Sequence, residues 1–89
     1  MSPTRPPSSR RLHFYTRPGC GLCREALEWL EPVAREMGYA IEKVSIDEAT
    51  EAVYYRYRYR IPVVALDGVD LAEGRIDRSA LERSLRGEG

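Results

Sequence analysis

Apolar residues recur at steps of three and four between Gly21 and Gly38, and charged residues fill most of the positions between them. This spacing is typical of an amphipathic α-helix with one buried stripe, so the sequence predicts a helix that begins at Gly21 and ends at Gly38. Pro32 lies inside it and removes the hydrogen bond to the carbonyl of Glu28, which predicts a bend. The predicted buried stripe consists of Cys23, Ala26, Leu27, Leu30, Val33, Ala34 and Met37.

Shorter patterns on either side of this helix predict four strands. Residues 12–16 are aromatic and β-branched and are followed by Pro18-Gly19, while residues 39–46 alternate imperfectly between apolar and polar. Asp67-Gly68 separates two further apolar stretches, 62–66 and 69–72. Because this dipeptide favours positive φ at both turn positions, these two stretches are predicted to form a β-hairpin.

Two more helices complete the predicted order. Residues 51–57 are predicted to form a short helix. A last helix is predicted to begin after Asp77 or after Ser79, the latter forming a Ser-x-x-Glu capping box with Glu82, and to end at Gly87. The order β-α-β-(α)-β-β-α, without an internal repeat, indicates an α/β fold.

Composition limits the protein to one small domain. It has 89 residues, of which 43% are hydrophobic and 31% charged, and the formal net charge is zero. No apolar run approaches the ~18 residues of a membrane-spanning helix, so we expect a soluble protein without membrane contact. Residues 1–11 combine prolines, serines and arginines without an apolar stretch, which predicts a disordered lead-in to a domain at 12–87. These residues do not resemble a secretory signal, and we expect a cytoplasmic location; a short transit segment is the alternative.

The stretch RPGCGLCREA contains both cysteines of the chain, Cys20 and Cys23. A single disulfide is too little to staple a secreted scaffold of this length, so the pair indicates redox or metal chemistry inside the cell. At the start of a helix, Cys20 would lie beside unpaired backbone N–H groups that favour a thiolate, and we expect Arg17, more than Arg24, to fold back over its sulfur. Cys23 lies one turn further along the same face, within disulfide reach and deeper in the apolar stripe.

Metal binding and simple packing are the alternative interpretations of these cysteines. A structural zinc site requires four ligands, and the only histidine is His13, inside the first predicted strand, where it is more simply a strand residue. A zinc or iron–sulfur centre shared between two chains would also use Cys20 and Cys23. Packing explains a buried Cys23, but it does not explain Cys20 in a Pro-Gly turn.

The run Tyr54-Tyr55-Arg56-Tyr57-Arg58-Tyr59-Arg60 is the most unusual composition in the chain. Alternating aromatic and cationic side chains can bind single-stranded nucleic acid. Three cations and a net charge of zero argue against that function, and we expect no nucleic-acid binding. Tyr54 and Tyr57, three positions apart, are predicted to pack inward, and Tyr59 or Arg60, which come directly before Ile61-Pro62, is a candidate substrate contact.

Three features together resemble glutaredoxin-like proteins of the thioredoxin fold: FYTRPGCGLCREA, the Ile61-Pro62 step in YRIPVVALDG, and the order of elements. The similarity extends from about residue 12 to residue 86. It implies a four-stranded mixed sheet flanked by helices and a thiol–disulfide oxidoreductase in which Cys20 is the nucleophile and Cys23 the resolving thiol. It also implies a cis bond before Pro62 and a substrate site formed by Arg17, Gly21, Leu22, Ile61 and Pro62, in which backbone groups of Ile61 pair with a peptide or with glutathione.

The dithiol matches the family pattern more closely than the glutathione site does. Glutathione-using glutaredoxins usually carry Pro-Tyr between the cysteines, Thr-Val before the cis-proline and Gly-Gly followed by acids after the fourth strand. Here Gly21-Leu22, Arg60-Ile61 and residues 72–77 occupy those places, and Gly74 and Asp77 are the partial matches in the last segment.

We therefore expect a monomer that acts on a disulfide-containing protein or a glutathione mixed disulfide with the help of a thiol reductant. We expect no bound cofactor and no metal; glutathione is the candidate co-substrate. A metal or iron–sulfur carrier that uses the same cysteines, and a non-catalytic adaptor that has kept the fold, are the alternative functions.

Overall fold

The computed structural model describes residues 11–87. The lead-in predicted at 1–11 lies outside this range except for Arg11, which is the first residue of a strand. The elements follow the predicted α/β order: β1 (Arg11–Thr16), α1 (Gly21–Glu36), β2 (Ala40–Ser45), α2 (Glu51–Tyr57), β3 (Val63–Leu66), β4 (Val69–Glu73) and α3 (Arg78–Leu85). Within residues 11–87, none of the helices has the length and apolar character that crossing a bilayer requires.

The four strands form one mixed sheet in the order β2-β1-β3-β4. β1 is parallel to β2 and antiparallel to β3, and β3 forms an antiparallel hairpin with β4. Tyr15, near the end of β1, is the partner of Val63, the first residue of β3. This register brings the turn after β1, which leads into Cys20 and α1, to the same end of the sheet as the Ile61-Pro62 step before β3.

Helices cover both faces of the sheet because side chains alternate along each strand. Leu12 and Phe14 of β1 are fully buried in the larger core cluster, which includes residues of α1 and α3. Tyr15 packs in the opposite direction, against a second cluster in which Tyr57 of α2 and Val63 of β3 are buried. The sheet is therefore the middle layer between α1 and α3 on one side and α2 on the other.

The first helix follows its predicted stripe closely. Cys23, Ala26, Leu30, Val33 and Ala34 are its buried residues, and Leu27 and Met37 pack against the core while half-buried. The helix is continuous through Pro32, which is exposed to solvent, and its last helical residue is Glu36, two before the predicted end at Gly38. The bend at Pro32 stays a prediction.

The turn between β3 and β4 has the predicted conformation, with φ of 52° at Asp67 and 82° at Gly68. Positive φ at both central positions suits a two-residue hairpin, since its twist matches that of the paired strands.

The last helix begins two residues earlier than a Ser79 cap would allow. Asp77 is the N-cap, and its Oδ1 accepts a hydrogen bond of 3.2 Å from the N–H of Ala80. Glu82 pairs with Arg78 at 2.9 Å, so it does not form the capping box predicted with Ser79. The capping-box alternative is therefore wrong. The helix already begins at Arg78, and the Glu82 side chain binds Arg78, one turn earlier, instead of the backbone of Ser79.

We expect Asp77→Ala to lower the free energy of unfolding by about 1 kcal/mol, because it removes the acceptor for an otherwise unpaired N–H group. Ser79→Ala, the matched control inside the helix, should change it by only a few tenths of a kcal/mol, roughly the difference in helix propensity. Urea unfolding followed by circular dichroism measures both. A larger loss for Ser79→Ala would contradict the assignment of the cap.

Candidate active site

The two cysteines form a disulfide where the chain passes from β1 into α1. Gly19 has a φ of 81°, which directs the chain into the helix, and Cys20 follows as the N-cap of α1 in an extended conformation. The Cα atoms of Cys20 and Cys23 are 5.2 Å apart, inside the range that a disulfide spans. The predicted juxtaposition of the two thiols is confirmed.

The two sulfur atoms lie in different surroundings. Cys20 is half-buried at the start of the helix, whereas only 2% of the Cys23 surface is exposed. The N–H of Cys23 points at the Cys20 sulfur, with N and Sγ 3.1 Å apart. N–H groups in the first turn of a helix have no partner within the helix and lie at the positive end of its dipole. They therefore stabilise negative charge on the Cys20 sulfur when the disulfide is reduced. The geometry therefore provides one sulfur that solvent can reach and one held in the core.

Arg17 lies in the turn before the motif, but its guanidinium binds an acidic partner. Its Nη2 is 3.0 Å from Oδ1 of Asp47, and the guanidinium also lies 5.8 Å from the centre of the Tyr54 ring. Arg17 is thus paired with Asp47, and its predicted position over the Cys20 sulfur stays a prediction. Thr16 accepts a hydrogen bond from the N–H of Ile46 where β1 and β2 end together, and this contact carries Asp47 to the turn.

The Ile61–Pro62 peptide bond is cis, and Pro62 is fully buried. The side chain of Ile61 packs against both core clusters, and Cys20 packs against one of them. Within residues 11–87, neither the N–H nor the C=O of Ile61 has a backbone partner, whereas the flanking carbonyls of Arg60 and Pro62 both accept from the N–H of Gly74. The half-buried Ile61 is therefore held from both sides, while its own N–H and C=O form no backbone hydrogen bond within residues 11–87.

An ion-pair network fixes the segment just before this step. The Nη2 atom of Arg60 lies 2.9 Å from Asp70 and 2.6 Å from Glu73, and both acids belong to β4. Asp70 also accepts a hydrogen bond of 2.9 Å from the hydroxyl of Tyr57, and Arg56 lies 3.4 Å from it. The network joins the end of α2 to the hairpin, and sequence reasoning identified neither acid.

The network also shifts the acid–base properties of its members. Burial raises the pKa of Asp70, but hydrogen bonds from Arg60, Tyr57 and Arg56 outweigh it, so the pKa lies below its ordinary value. Burial and the hydrogen bond to Asp70 raise the pKa of Tyr57 to about 12. At neutral pH the Tyr57 hydroxyl is therefore a protonated donor to an ionised carboxylate.

The remaining predicted site residues, Gly21 and Leu22, lie between the two cysteines. Gly21 is exposed, and Leu22, with 37% of its surface exposed, lines an open groove of about 140 Å³ together with Trp29, Gly74 and Ile76. Sequence reasoning missed Trp29 and Ile76, which line this groove from α1 and the β4–α3 loop. Within residues 11–87, no cluster of three or more histidine, cysteine, aspartate or glutamate residues could hold a metal ion.

Comparisons with known proteins agree with this geometry. The family model "Glutaredoxin-like domain (DUF836)" matches residues 11–86. A Dictyostelium discoideum protein named "Glutaredoxin-like protein YDR286C homolog" is 32% identical over 82 residues, which cover 86% of this chain and 76% of that protein. An uncharacterized protein of Mycobacterium tuberculosis is 26% identical, over 88% of this chain and 84% of its own.

Solved structures support the fold. A mutant thioredoxin from Halobacterium salinarum aligns with a TM-score of 0.65 and 26% identity, over 86% of this chain and 72% of that one. Thioredoxin 1 from Thermosipho africanus aligns with a TM-score of 0.61 at 16% identity, over 88% and 97%. Since residues 11–86 match the family model and the structural matches cover nearly the whole described chain, this protein belongs to the glutaredoxin-like (DUF836) family and has the thioredoxin fold.

Proposed function

We propose that this protein is a thiol–disulfide oxidoreductase in which Cys20 is the nucleophile and Cys23 the resolving thiol. The observation that carries the proposal is the Cys20–Cys23 disulfide at the N-terminus of α1, with one sulfur within reach of solvent and the other 2% exposed. A redox pair needs this asymmetry, because the attacking sulfur must meet a partner and the second must wait until the first has reacted.

In the reduced protein, the Cys20 thiolate attacks one sulfur of a client disulfide. A bond forms between Cys20 and that sulfur, the client's S–S bond breaks, and the other client sulfur leaves as a thiolate that takes up a proton. Cys23 then loses its proton and attacks the Cys20 sulfur, which releases the second client thiol and closes the Cys20–Cys23 disulfide. The client gains two electrons and the protein loses two, so a thiol reductant must restore the dithiol before the next cycle.

The open backbone of Ile61 supports a docking mode for the client. Its N–H and C=O can pair with an extended peptide as an added strand segment, which is a recurring way of binding a chain without reading its sequence. Gly21 and Leu22 would contact the peptide on the far side of the disulfide. Arg17, held by Asp47, would border the site as a fixed cation.

A polypeptide disulfide fits this edge better than glutathione alone. Of the positions that partly match a glutathione site, the N–H of Gly74 is bonded to Arg60 and Pro62, and the carboxylate of Asp77 caps α3. Glutathione then acts as the reductant or as one half of a mixed disulfide. We place this activity in the cytoplasm, carried out by a monomer without a bound cofactor.

A Cys23→Ser variant tests the proposal, because it keeps the attacking sulfur and removes the resolving one. Incubation with a disulfide-bonded peptide should give a stable adduct in which the peptide is joined to Cys20, detected by mass spectrometry as a mass that dithiothreitol removes. Cys20→Ser is the control and should give no adduct under the same conditions. Wild-type protein that never converts between dithiol and disulfide would overturn the proposal.

A further inference from the structure

The run of tyrosines and arginines at 54–60 divides into an inward and an outward half. Tyr57 is 5% exposed and binds Asp70, and Arg60 binds Asp70 and Glu73, so these two side chains hold the fold together. Tyr55 and Tyr59 are 61% and 86% exposed. Together with Arg58 they form what we call the Arg58 surface, whose side chains take no part in the network around Asp70.

Arg58 is held in place by aromatic rings and has no acidic partner. Its guanidinium lies 4.8 Å from the centre of the Tyr55 ring, 4.7 Å from that of Tyr59 and 6.0 Å from that of Tyr54. Among residues 11–87 no carboxylate pairs with it, whereas Arg56 and Arg60, in the same run, both do. Arg58 is half-buried, and contact with the tyrosine faces restricts its side chain while its N–H groups have no carboxylate partner among residues 11–87.

The Arg58 surface borders the edge at which the client is proposed to dock. Tyr59 is two residues before Ile61, and Tyr54, which Arg58 stacks on, also lies under the guanidinium of Arg17. The carbonyl of Arg17 accepts a hydrogen bond from the N–H of Cys20. A chain bound along Ile61 would therefore pass this surface on its way from the disulfide.

We propose that the Arg58 surface binds an acidic segment of the client polypeptide next to its disulfide. A guanidinium offers parallel N–H groups that match a carboxylate in a bidentate pair, and the exposed tyrosine rings can pack against neighbouring apolar atoms. This inference rests on the proposed function and adds to it the chemical class of the preferred client.

A carboxylate fits this surface better than a row of phosphates. Single-stranded nucleic acid binds along grooves that neutralise several phosphates in succession. Here Arg56 and Arg60 are paired with acids of β4 and Arg17 with Asp47, which leaves Arg58 as the one unpaired cation of the described cluster. One pre-oriented guanidinium matches one acidic side chain.

The test compares peptides that differ only beside the cysteine. Disulfide-linked peptide dimers of equal length carry aspartate or lysine at the positions flanking the cysteine, and kcat/KM is measured for each with wild type, Arg58→Gln, Arg58→Lys and Arg83→Gln. Arg83 is the matched control, an exposed arginine of α3 without an ion pair among residues 11–87. Wild type and Arg83→Gln should favour the aspartate peptide about tenfold, as expected for a charge-assisted pair, and added salt should weaken the preference.

In Arg58→Gln the preference should fall to about twofold or less, and Arg58→Lys should be intermediate, since lysine keeps the charge but not the planar fork. An unchanged preference in Arg58→Gln, or an equal loss in Arg83→Gln, would overturn the inference. Competition by oligothymidylate that depends on Arg58 would overturn it in favour of nucleic acid.

A second measurement separates this inference from the proposed function. It uses the same peptides with serine in place of cysteine and measures their binding by tyrosine fluorescence or calorimetry. Such binding needs no redox chemistry. Binding of the aspartate peptide that is lost in Arg58→Gln, together with no turnover by wild type, would remove the proposed function and keep the acidic-segment site. Turnover by wild type without any preference for the aspartate peptide would keep the proposed function and remove the acidic-segment site.

Discussion

Cys20→Ser is expected to lower the rate of disulfide reduction about a thousandfold or more, since a serine hydroxyl is not ionised at neutral pH and cannot form the mixed disulfide. The fold should survive, because serine is among the best N-cap residues and its Oγ can accept the N–H of Cys23 as the sulfur does. Reduction of a small disulfide such as hydroxyethyl disulfide, in the presence of excess thiol reductant, measures the loss.

Cys23→Ser is the matched control for this measurement. It also prevents formation of the intramolecular disulfide, but it keeps the sulfur at the helix N-terminus, so it should still react once with a client. If Cys20→Ser kept more than about a tenth of the wild-type rate while Cys23→Ser was inactive, Cys23 would be the nucleophile and Cys20 the resolving thiol. Urea unfolding of both variants in the reduced state separates a chemical loss from a folding loss.

The parts of this fold that sequence predicts well are those set by neighbouring residues. The helix at Glu51–Tyr57 has the predicted bounds because Thr50 accepts a hydrogen bond from Val53 at its start. The Asp67-Gly68 turn needs only two residues that tolerate positive φ. The burial of Cys23 and the reach to Cys20 likewise follow from helical spacing alone.

The contacts that sequence does not predict join residues far apart in the chain. Arg17 binds Asp47 because β1 and β2 are parallel and end together, and Arg60 binds Asp70 and Glu73 because α2 meets the outer strand of the hairpin. Asp70 and Glu73 belong to a short strand, VDLAE, whose sequence would equally suit acids that face solvent. Only the tertiary arrangement distinguishes the two environments.

The same contacts explain why the proposed docking edge could be located in the sequence but its hydrogen bonding could not be predicted. Ile61-Pro62 is recognisable as a motif, whereas the N–H of Gly74, which bonds to the carbonyls on both sides of Ile61, comes from a loop twelve and more residues away. The proposal that a client docks at this edge depends on an Ile61 backbone without backbone hydrogen bonds between two carbonyls that have them, and pairing is a property of the folded chain.

Asp70→Asn should lower the free energy of unfolding at pH 7 by about 2 kcal/mol, because it removes the charge that Arg60 and the buried Tyr57 hydroxyl bind. Asp67→Asn, three residues earlier in the same hairpin, is the matched control, since Asp67 has no ion pair among residues 11–87 and asparagine tolerates its positive φ. Urea unfolding of both variants measures the difference.

The pH dependence of this loss identifies its cause. The pKa of Asp70 is lowered in the folded protein, so its stabilisation is fully present above the ordinary carboxyl pKa of about 3.9 and is lost as the pH falls through the folded-state value. The difference between wild type and Asp70→Asn should therefore be largest near neutral pH and should shrink steadily below about pH 4, while that for Asp67→Asn stays small throughout. A difference that does not depend on pH would assign the loss to packing. The charge of Asp70 would then not help to hold the segment before Ile61, which would be held by Glu73 and Gly74.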